Sequence, residues 1–144
     1  MKEIKRAKIS LQSFIDNLDK DGLPEGECER SCVSVFGEVA ILGEAVNISY
    51  EEQSEEGKVI TELKISDGEA ILERKGAISS VMVFSESKPY KTVYSLPPYS
   101  FDMEIFTRRL ELNVSDCGLF LRLVYNMNVG GASKLCRMRL EAEF

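Results

Sequence analysis

The sequence contains no histidine, and this absence excludes several kinds of enzyme and metal site. Pairs in which a histidine activates a serine or a cysteine cannot form, and neither can a histidine-rich metal site. The chain also lacks the Gly-x-Gly-x-x-Gly and phosphate-loop motifs of nucleotide-binding proteins. Nothing specific supports a hydrolase or isomerase built from carboxylates and tyrosines. The sequence therefore predicts no catalytic residue and no cofactor, and it favours a protein that is not an enzyme.

Basic charge and long apolar runs are also scarce. The chain has 18 Lys and Arg residues against 24 Asp and Glu residues, so its net charge is −6. Proteins that bind the phosphate backbone of nucleic acids or adsorb to anionic membranes need a basic face. We therefore predict that this chain binds neither nucleic acid nor membranes. Residues 1–8 are too charged for a signal peptide, and no run approaches the length of a transmembrane helix. We therefore expect a cytoplasmic protein.

The four cysteines lack the spacing of a metal site. Cys28 and Cys32 are four residues apart, which on a continuous strand separates them by about 13 Å. Cys117 and Cys136 follow much later. A four-thiolate zinc site needs paired short spacings, so we predict no metal site. In the cytoplasm these cysteines should be free thiols.

What the sequence does contain is an alternation of apolar and polar residues with a period of two. The clearest runs are residues 59–65 and 99–105. Because side chains along a strand point alternately to opposite faces, each run predicts a strand with one buried and one solvated face. About ten such runs with short connections predict one all-β domain over residues 1–144, an antiparallel barrel of about eight to ten strands.

Three positions in this pattern carry specific expectations. Residues 3–18 fit one face of a strand and a helical stripe equally well, and we favour the strand because strands surround it in sequence. Asp67-Gly68 predicts a tight hairpin turn. The apolar positions change from odd to even between Ile105 and Leu110, which predicts a bulge or turn at residues 107–109.

Three interruptions are also predicted. Pro97-Pro98 cannot donate backbone hydrogen bonds, so the ladder must break there. The acidic segment Glu51–Gly57 is expected to be a solvated hairpin tip. Residues 127–131, which end in two glycines, are expected to form the loop of the last hairpin.

Arg74 is the most informative charged residue, because it shares a strand face with Ala70 and Leu72. If that face is inward, a guanidinium points into the barrel, where an unpaired charge is costly. One interpretation is an anchor for an anion or carboxylate in a ligand cavity. The other is a structural arginine that closes the barrel end through backbone carbonyls or a glutamate.

Other candidates are tyrosines and methionines with apolar neighbours on the same strand, namely Tyr94, Tyr99, Tyr125, Met82, Met103 and Met138. They would either line a cavity, with hydroxyl groups that orient a ligand, or fill an ordinary core. At the expected bulge, Thr107 would hydrogen-bond across it, and one of the two following arginines would face solvent. The predicted ligand-binding residues are Arg74, Met82, Tyr94, Tyr99, Met103, Thr107 and Arg108.

Short motifs follow one another in a fixed order in the middle of the chain: Arg74-Lys75-Gly76, Met82-Val83-Phe84, Tyr94-Ser95-Leu96-Pro97 and Ile105-Phe106-Thr107. Their order and spacing resemble the YwiB-like family, a group of small bacterial proteins described as a domain of unknown function. Where the family pattern has Thr-Pro-Tyr-Gly, this chain has Leu96-Pro97-Pro98-Tyr99. The resemblance implies a lipocalin-like (calycin) β-barrel, and it implies no particular activity.

Two functions follow from this fold. The first is a cytoplasmic lipocalin-like barrel that binds a small, apolar or anionic ligand, and the second is a structural or protein-interaction module with a filled interior. A barrel of about eight strands has an interior that side chains either fill or leave wide enough for one ligand. The volume of any cavity therefore separates the two hypotheses. Both are compatible with a monomer or a homodimer.

Overall fold

The computed structural model describes residues 2–144 and contains ten β-strands and no helix in that range. Their bounds are β1 (Lys2–Asn17), β2 (Glu29–Leu42), β3 (Ala45–Ser54), β4 (Gly57–Ser66), β5 (Glu69–Gly76), β6 (Ser80–Ser85), β7 (Pro89–Leu96), β8 (Tyr99–Ser115), β9 (Gly118–Val129) and β10 (Ala132–Glu143).

The strands form one sheet in the order β6-β5-β4-β3-β2-β1-β10-β9-β8-β7, and all its neighbouring pairs are antiparallel. The sheet curls until its two edges meet. Ser79 and Ser95 exchange two backbone hydrogen bonds of 2.9 Å, and the Ser87 N–H donates to the Thr107 carbonyl at 2.9 Å. The barrel is thus nearly closed, which confirms the predicted all-β, lipocalin-like fold.

Two expectations drawn from the alternation of side chains are confirmed. The ambiguous N-terminal segment is a strand, since β1 pairs with β2 on one side and with β10 on the other. The register between β8 and β9 shifts between Thr107 and Arg109, so a bulge lies where the parity changes. Before it, Ile105 and Thr107 are fully buried, and after it Leu110 packs against the core. The extra residue moves the inward face from odd to even positions.

Two predicted loops are shorter than their composition indicates. β3 continues to Ser54, so only Glu55-Glu56 remain at the acidic tip, and β9 continues to Val129, so only Gly130-Gly131 turn. In both places the cross-strand ladder extends through residues that turn composition had assigned to a loop. The second difference matters for function because it places Met127 on a strand.

Side chains fill one part of the barrel interior completely. The largest fully buried apolar residues belong to eight strands and are Ile9, Val39, Ile48, Leu63, Phe84, Ile105, Leu121, Leu123 and Leu140. The Phe84 ring packs against Tyr125 with a centroid distance of 4.8 Å. This packed core supports the other part of the barrel, which is not filled.

Asp67-Gly68 forms the predicted two-residue turn, with φ values of 51° and 73°. Replacing Gly68 with valine should lower the free energy of unfolding by about 1–3 kcal/mol, because a β-branched residue is strained at positive φ. Urea denaturation measures the change. Ser66→Val is the control, since Ser66 lies at the exposed end of β4, where valine is favourable. A change within about 0.3 kcal/mol for the Gly68 variant would contradict the assigned turn.

Candidate functional site

A cavity of about 630 Å³ occupies the unfilled part of the barrel and opens to solvent. This volume lies within the range of small-molecule sites, roughly 300–1,000 Å³. The strands β1, β2 and β5 to β10, together with Gly130 of the last turn, supply its lining: Ser13, Ile15, Ser31, Leu72, Arg74, Met82, Tyr94, Phe101, Met103, Tyr125, Met127, Val129, Gly130, Ala132, Lys134, Cys136, Arg137 and Met138. Side chains therefore do not fill the interior of this barrel throughout.

Methionines make up much of the apolar wall. Four of the five methionines in the chain line the cavity, and the fifth is Met1. Met82, Met103 and Met138 are buried, while Met127 is half-buried. Thioether side chains are unbranched and polarizable, so they adjust to differently shaped apolar partners. A wall of methionines is therefore better suited to binding a ligand than a wall of rigidly packed side chains is.

Four of the seven predicted site residues come together at this cavity: Arg74, Met82, Tyr94 and Met103. Tyr125 and Met138, which the same reasoning had singled out, also line it. The other three predicted site residues, Tyr99, Thr107 and Arg108, do not line it.

These three residues lie outside the cavity, each in a different environment. Tyr99 directly follows the Pro97-Pro98 turn and is 64% exposed. Thr107 is fully buried opposite Tyr125 but does not line the cavity. Its hydroxyl has no hydrogen-bond partner among residues 2–144, so the described structure does not contain the bond expected across the bulge. Arg108 is the exposed bulge residue, and its Nε donates to Asn126 Oδ1.

Arg74 lies within a row of inward-facing polar residues. Cross-strand pairing aligns Tyr50, Thr61, Arg74 and Ser80 on β3, β4, β5 and β6. Thr61 and Ser80 are buried; the Thr61 hydroxyl lies beside that of Tyr50, and the Ser80 hydroxyl has no hydrogen-bond partner among the described residues. The Arg74 Nε is likewise buried without a partner, and no carboxylate of the described residues forms an ion pair with its guanidinium. The described residues thus supply none of the carbonyl or carboxylate partners that a structural closure requires.

Gly76 fixes the end of the strand that carries Arg74. Its φ is 116°, and a Cβ built there would lie 2.2 Å from the Lys58 carbonyl oxygen. That carbonyl accepts a hydrogen bond of 3.0 Å from the Ala77 N–H. Only glycine combines this backbone conformation with such a close approach. The glycine of the Arg-x-Gly motif therefore anchors β5 two residues beyond Arg74.

The hydroxyl and thiol groups near Arg74 are held neutral. Burial raises the pKa of Tyr50 and Tyr125, and the positive charge of Arg74 opposes this effect only in part. Burial also raises the pKa of Cys136 to about 11, so its thiol stays protonated at neutral pH. A protonated thiol is a poor nucleophile and a protonated phenol is no base. These groups can donate hydrogen bonds to a ligand, but they are not activated for catalysis.

The remaining cysteines and acidic residues form no further centre. Cys28, Cys32, Cys117 and Cys136 are all free. Within residues 2–144, no three cysteine, aspartate or glutamate side chains are grouped so that they could hold a metal ion. None of the described residues belongs to a helix with the length and apolarity needed to cross a membrane.

Met127 and Lys134 are two of the cavity residues that the sequence analysis does not predict. The turn composition of residues 127–131 predicts a loop there, whereas Met127 lies on β9, paired with Lys134. Lys134 shares its parity with Cys136, Met138 and Leu140, all of which are buried on the inner face of β10. That parity was a usable signal, and it predicts a second cation that points into the barrel.

Comparison with known proteins identifies relatives of this chain. A family model described as Domain of unknown function (DUF1934) matches residues 18–141. The structure is similar to the crystal structure of ywiB protein from Bacillus subtilis, with a TM-score of 0.79 and 23% sequence identity, over 97% of this chain and 94% of that chain. At this identity the similarity establishes the fold alone. None of the curated proteins matches this chain.

Proposed function

This chain belongs to the family described as Domain of unknown function (DUF1934), and from its cavity we propose that the barrel binds a small, partly apolar molecule. The resemblance to the YwiB-like family is confirmed, and the family description assigns no activity. The proposed role is that of a binding protein rather than an enzyme.

The observation that carries this proposal is an open cavity of about 630 Å³ with a methionine-rich wall. A core that serves only stability is packed at nearly crystalline density and avoids empty volume, because each void forfeits dispersion contacts. An accessible apolar cavity with a few converging polar groups is the usual form of a small-molecule site. The neutral state of Tyr125 and Cys136 supports binding over catalysis.

A cytoplasmic location is part of this proposal. It is supported by the four free cysteines, since extracellular compartments favour disulfide formation.

Narrowing the cavity should abolish binding without unfolding the barrel. Met127→Trp places a larger side chain in the wall, and the affinity for the neutral apolar dye N-phenyl-1-naphthylamine should fall by about tenfold or more. Asn128→Trp is the matched control, because the neighbouring residue on β9 is exposed and does not line the cavity. Dye fluorescence gives the affinity, and circular dichroism reports the fold.

Equal dye affinity in both variants would show that the dye binds elsewhere. Native mass spectrometry of protein purified from its own host provides a second test, since a bound molecule should appear as added mass that Met127→Trp removes. The same spectrum distinguishes a monomer from a homodimer. Host protein that carries no added mass, together with no dye binding by the unmodified chain, would overturn the proposed function.

A further inference from the structure

The charges that line the cavity are all of one sign, although the protein as a whole is acidic. The net charge of the chain is −6, yet the charged residues of the lining are Arg74, Lys134 and Arg137, with no Asp or Glu among them. A low-dielectric cavity concentrates the field of such charges, so it attracts anions and repels cations. The cavity therefore carries a charge opposite to that of the protein as a whole, and it favours an anionic ligand.

Two of these three cations are available to a ligand. Arg74 and Lys134 lie on inward-facing positions of β5 and β10. Arg137 has the opposite parity, pairs with Asp16 at 3.5 Å, and lies over the Phe14 ring at 5.4 Å. Lys134 forms no ion pair with a described residue. Arg74 lies in the polar row, and Lys134 lies near the end of β10 that begins at the exposed Gly130-Gly131 turn.

Arg74 is a cation of the cavity wall that has no partner among the described residues. Its Nε is buried without a hydrogen-bond partner among them, and no described carboxylate forms an ion pair with its guanidinium. An oxyanion is the simplest group that accepts hydrogen bonds from a guanidinium and also neutralises its charge. An alcohol would leave the charge uncompensated, and an ammonium group would add a second positive charge.

We propose that the molecule bound in the cavity is an organic oxyanion, whose charged group lies against Arg74 and whose apolar body lies along the methionine wall. This inference rests on the proposed function and specifies its ligand class. Lys134 serves as the outer cation, which draws the anion toward the mouth of the cavity.

The test is a set of naphthyl ligands that share one apolar body and differ in charge: 2-naphthylacetate, 2-(2-naphthyl)ethanol and 2-(2-naphthyl)ethylammonium. Isothermal titration calorimetry should show that the carboxylate binds about tenfold or more tightly than the alcohol, and that the ammonium binds most weakly. 2-Naphthyl phosphate is a further ligand, because tighter binding of the phosphate than of the carboxylate would identify the oxyanion as a phosphate group.

Substitutions show which residue causes the preference for the carboxylate over the alcohol. Arg74→Gln should remove the preference for the carboxylate while alcohol binding stays unchanged, which also shows that the variant is folded. Lys134→Gln should lower carboxylate affinity less, and it should weaken the dependence of that affinity on salt. Arg122→Gln is the control, because Arg122 is half-buried on β9 but does not line the cavity, and it should behave like the unmodified protein.

Failure of this inference is distinguishable from failure of the proposed function. Equal affinities for the carboxylate and the alcohol would overturn the oxyanion proposal and leave small-molecule binding in place. A carboxylate preference that survives in Arg74→Gln would overturn the assignment to Arg74. No binding of any naphthyl ligand or of the neutral dye would overturn both.

Discussion

Replacing Phe84 with alanine should lower the free energy of unfolding by about 3–5 kcal/mol, because the variant loses a fully buried ring and leaves a void in the packed core. Phe84 is 0% exposed and packs on Tyr125. Met82 is on the same strand and the same face but borders the cavity. One side of Met82 therefore lacks protein contacts, and we expect Met82→Ala to cost less than about 2 kcal/mol.

Urea denaturation of the two variants compares the filled and the open parts of one barrel. Phe36→Ala is the control for loss of an aromatic ring, since Phe36 is 65% exposed on the outer surface, and its cost should stay below about 1 kcal/mol. Equal losses for Phe84→Ala and Met82→Ala would mean that Met82 is as tightly packed as the core. That result would favour a structural module with a filled interior.

Replacing Arg74 with methionine should raise the free energy of unfolding of the empty protein by about 1–3 kcal/mol, which is the opposite of what removing a structural arginine does. The guanidinium has a buried Nε without a hydrogen-bond partner, and no described carboxylate pairs with it. Methionine has a similar length and no charge, so it should continue the existing methionine wall. Chemical denaturation of ligand-free protein measures the change.

The control for this substitution is Arg122→Met. Arg122 is half-buried like Arg74, but it lies at an outward-facing position of β9, so its replacement should change stability by less than about 0.5 kcal/mol. A loss of about 2 kcal/mol or more for Arg74→Met would show that Arg74 has structural partners, and the closure interpretation would then be correct. Any bound anion must be removed before denaturation, because a ligand that binds only the folded state raises the free energy of unfolding.

Several features of the barrel follow from the local sequence. The alternation of apolar and polar residues predicts the strands, and the change of parity before Leu110 predicts the bulge after Thr107. Asp67-Gly68 predicts its turn, and the parity of Arg74 predicts that it points inward. Each of these depends on the geometry of an extended backbone, in which neighbouring side chains alternate between two faces. Such information is present within a few residues of each position.

The level of a residue along the barrel axis depends on the tertiary structure. Thr107 and Met103 both face inward, yet only Met103 reaches the cavity, because the register of β8 against β9 sets their depths. Met127 joins the wall because pairing with Lys134 extends the last hairpin beyond what turn composition indicates. The sequence by itself thus determined the class of fold and the face of each side chain. Only the tertiary structure decided which inward-facing residues line the cavity and whether Arg74 has a partner among them. Both depend on contacts between strands that are distant in sequence.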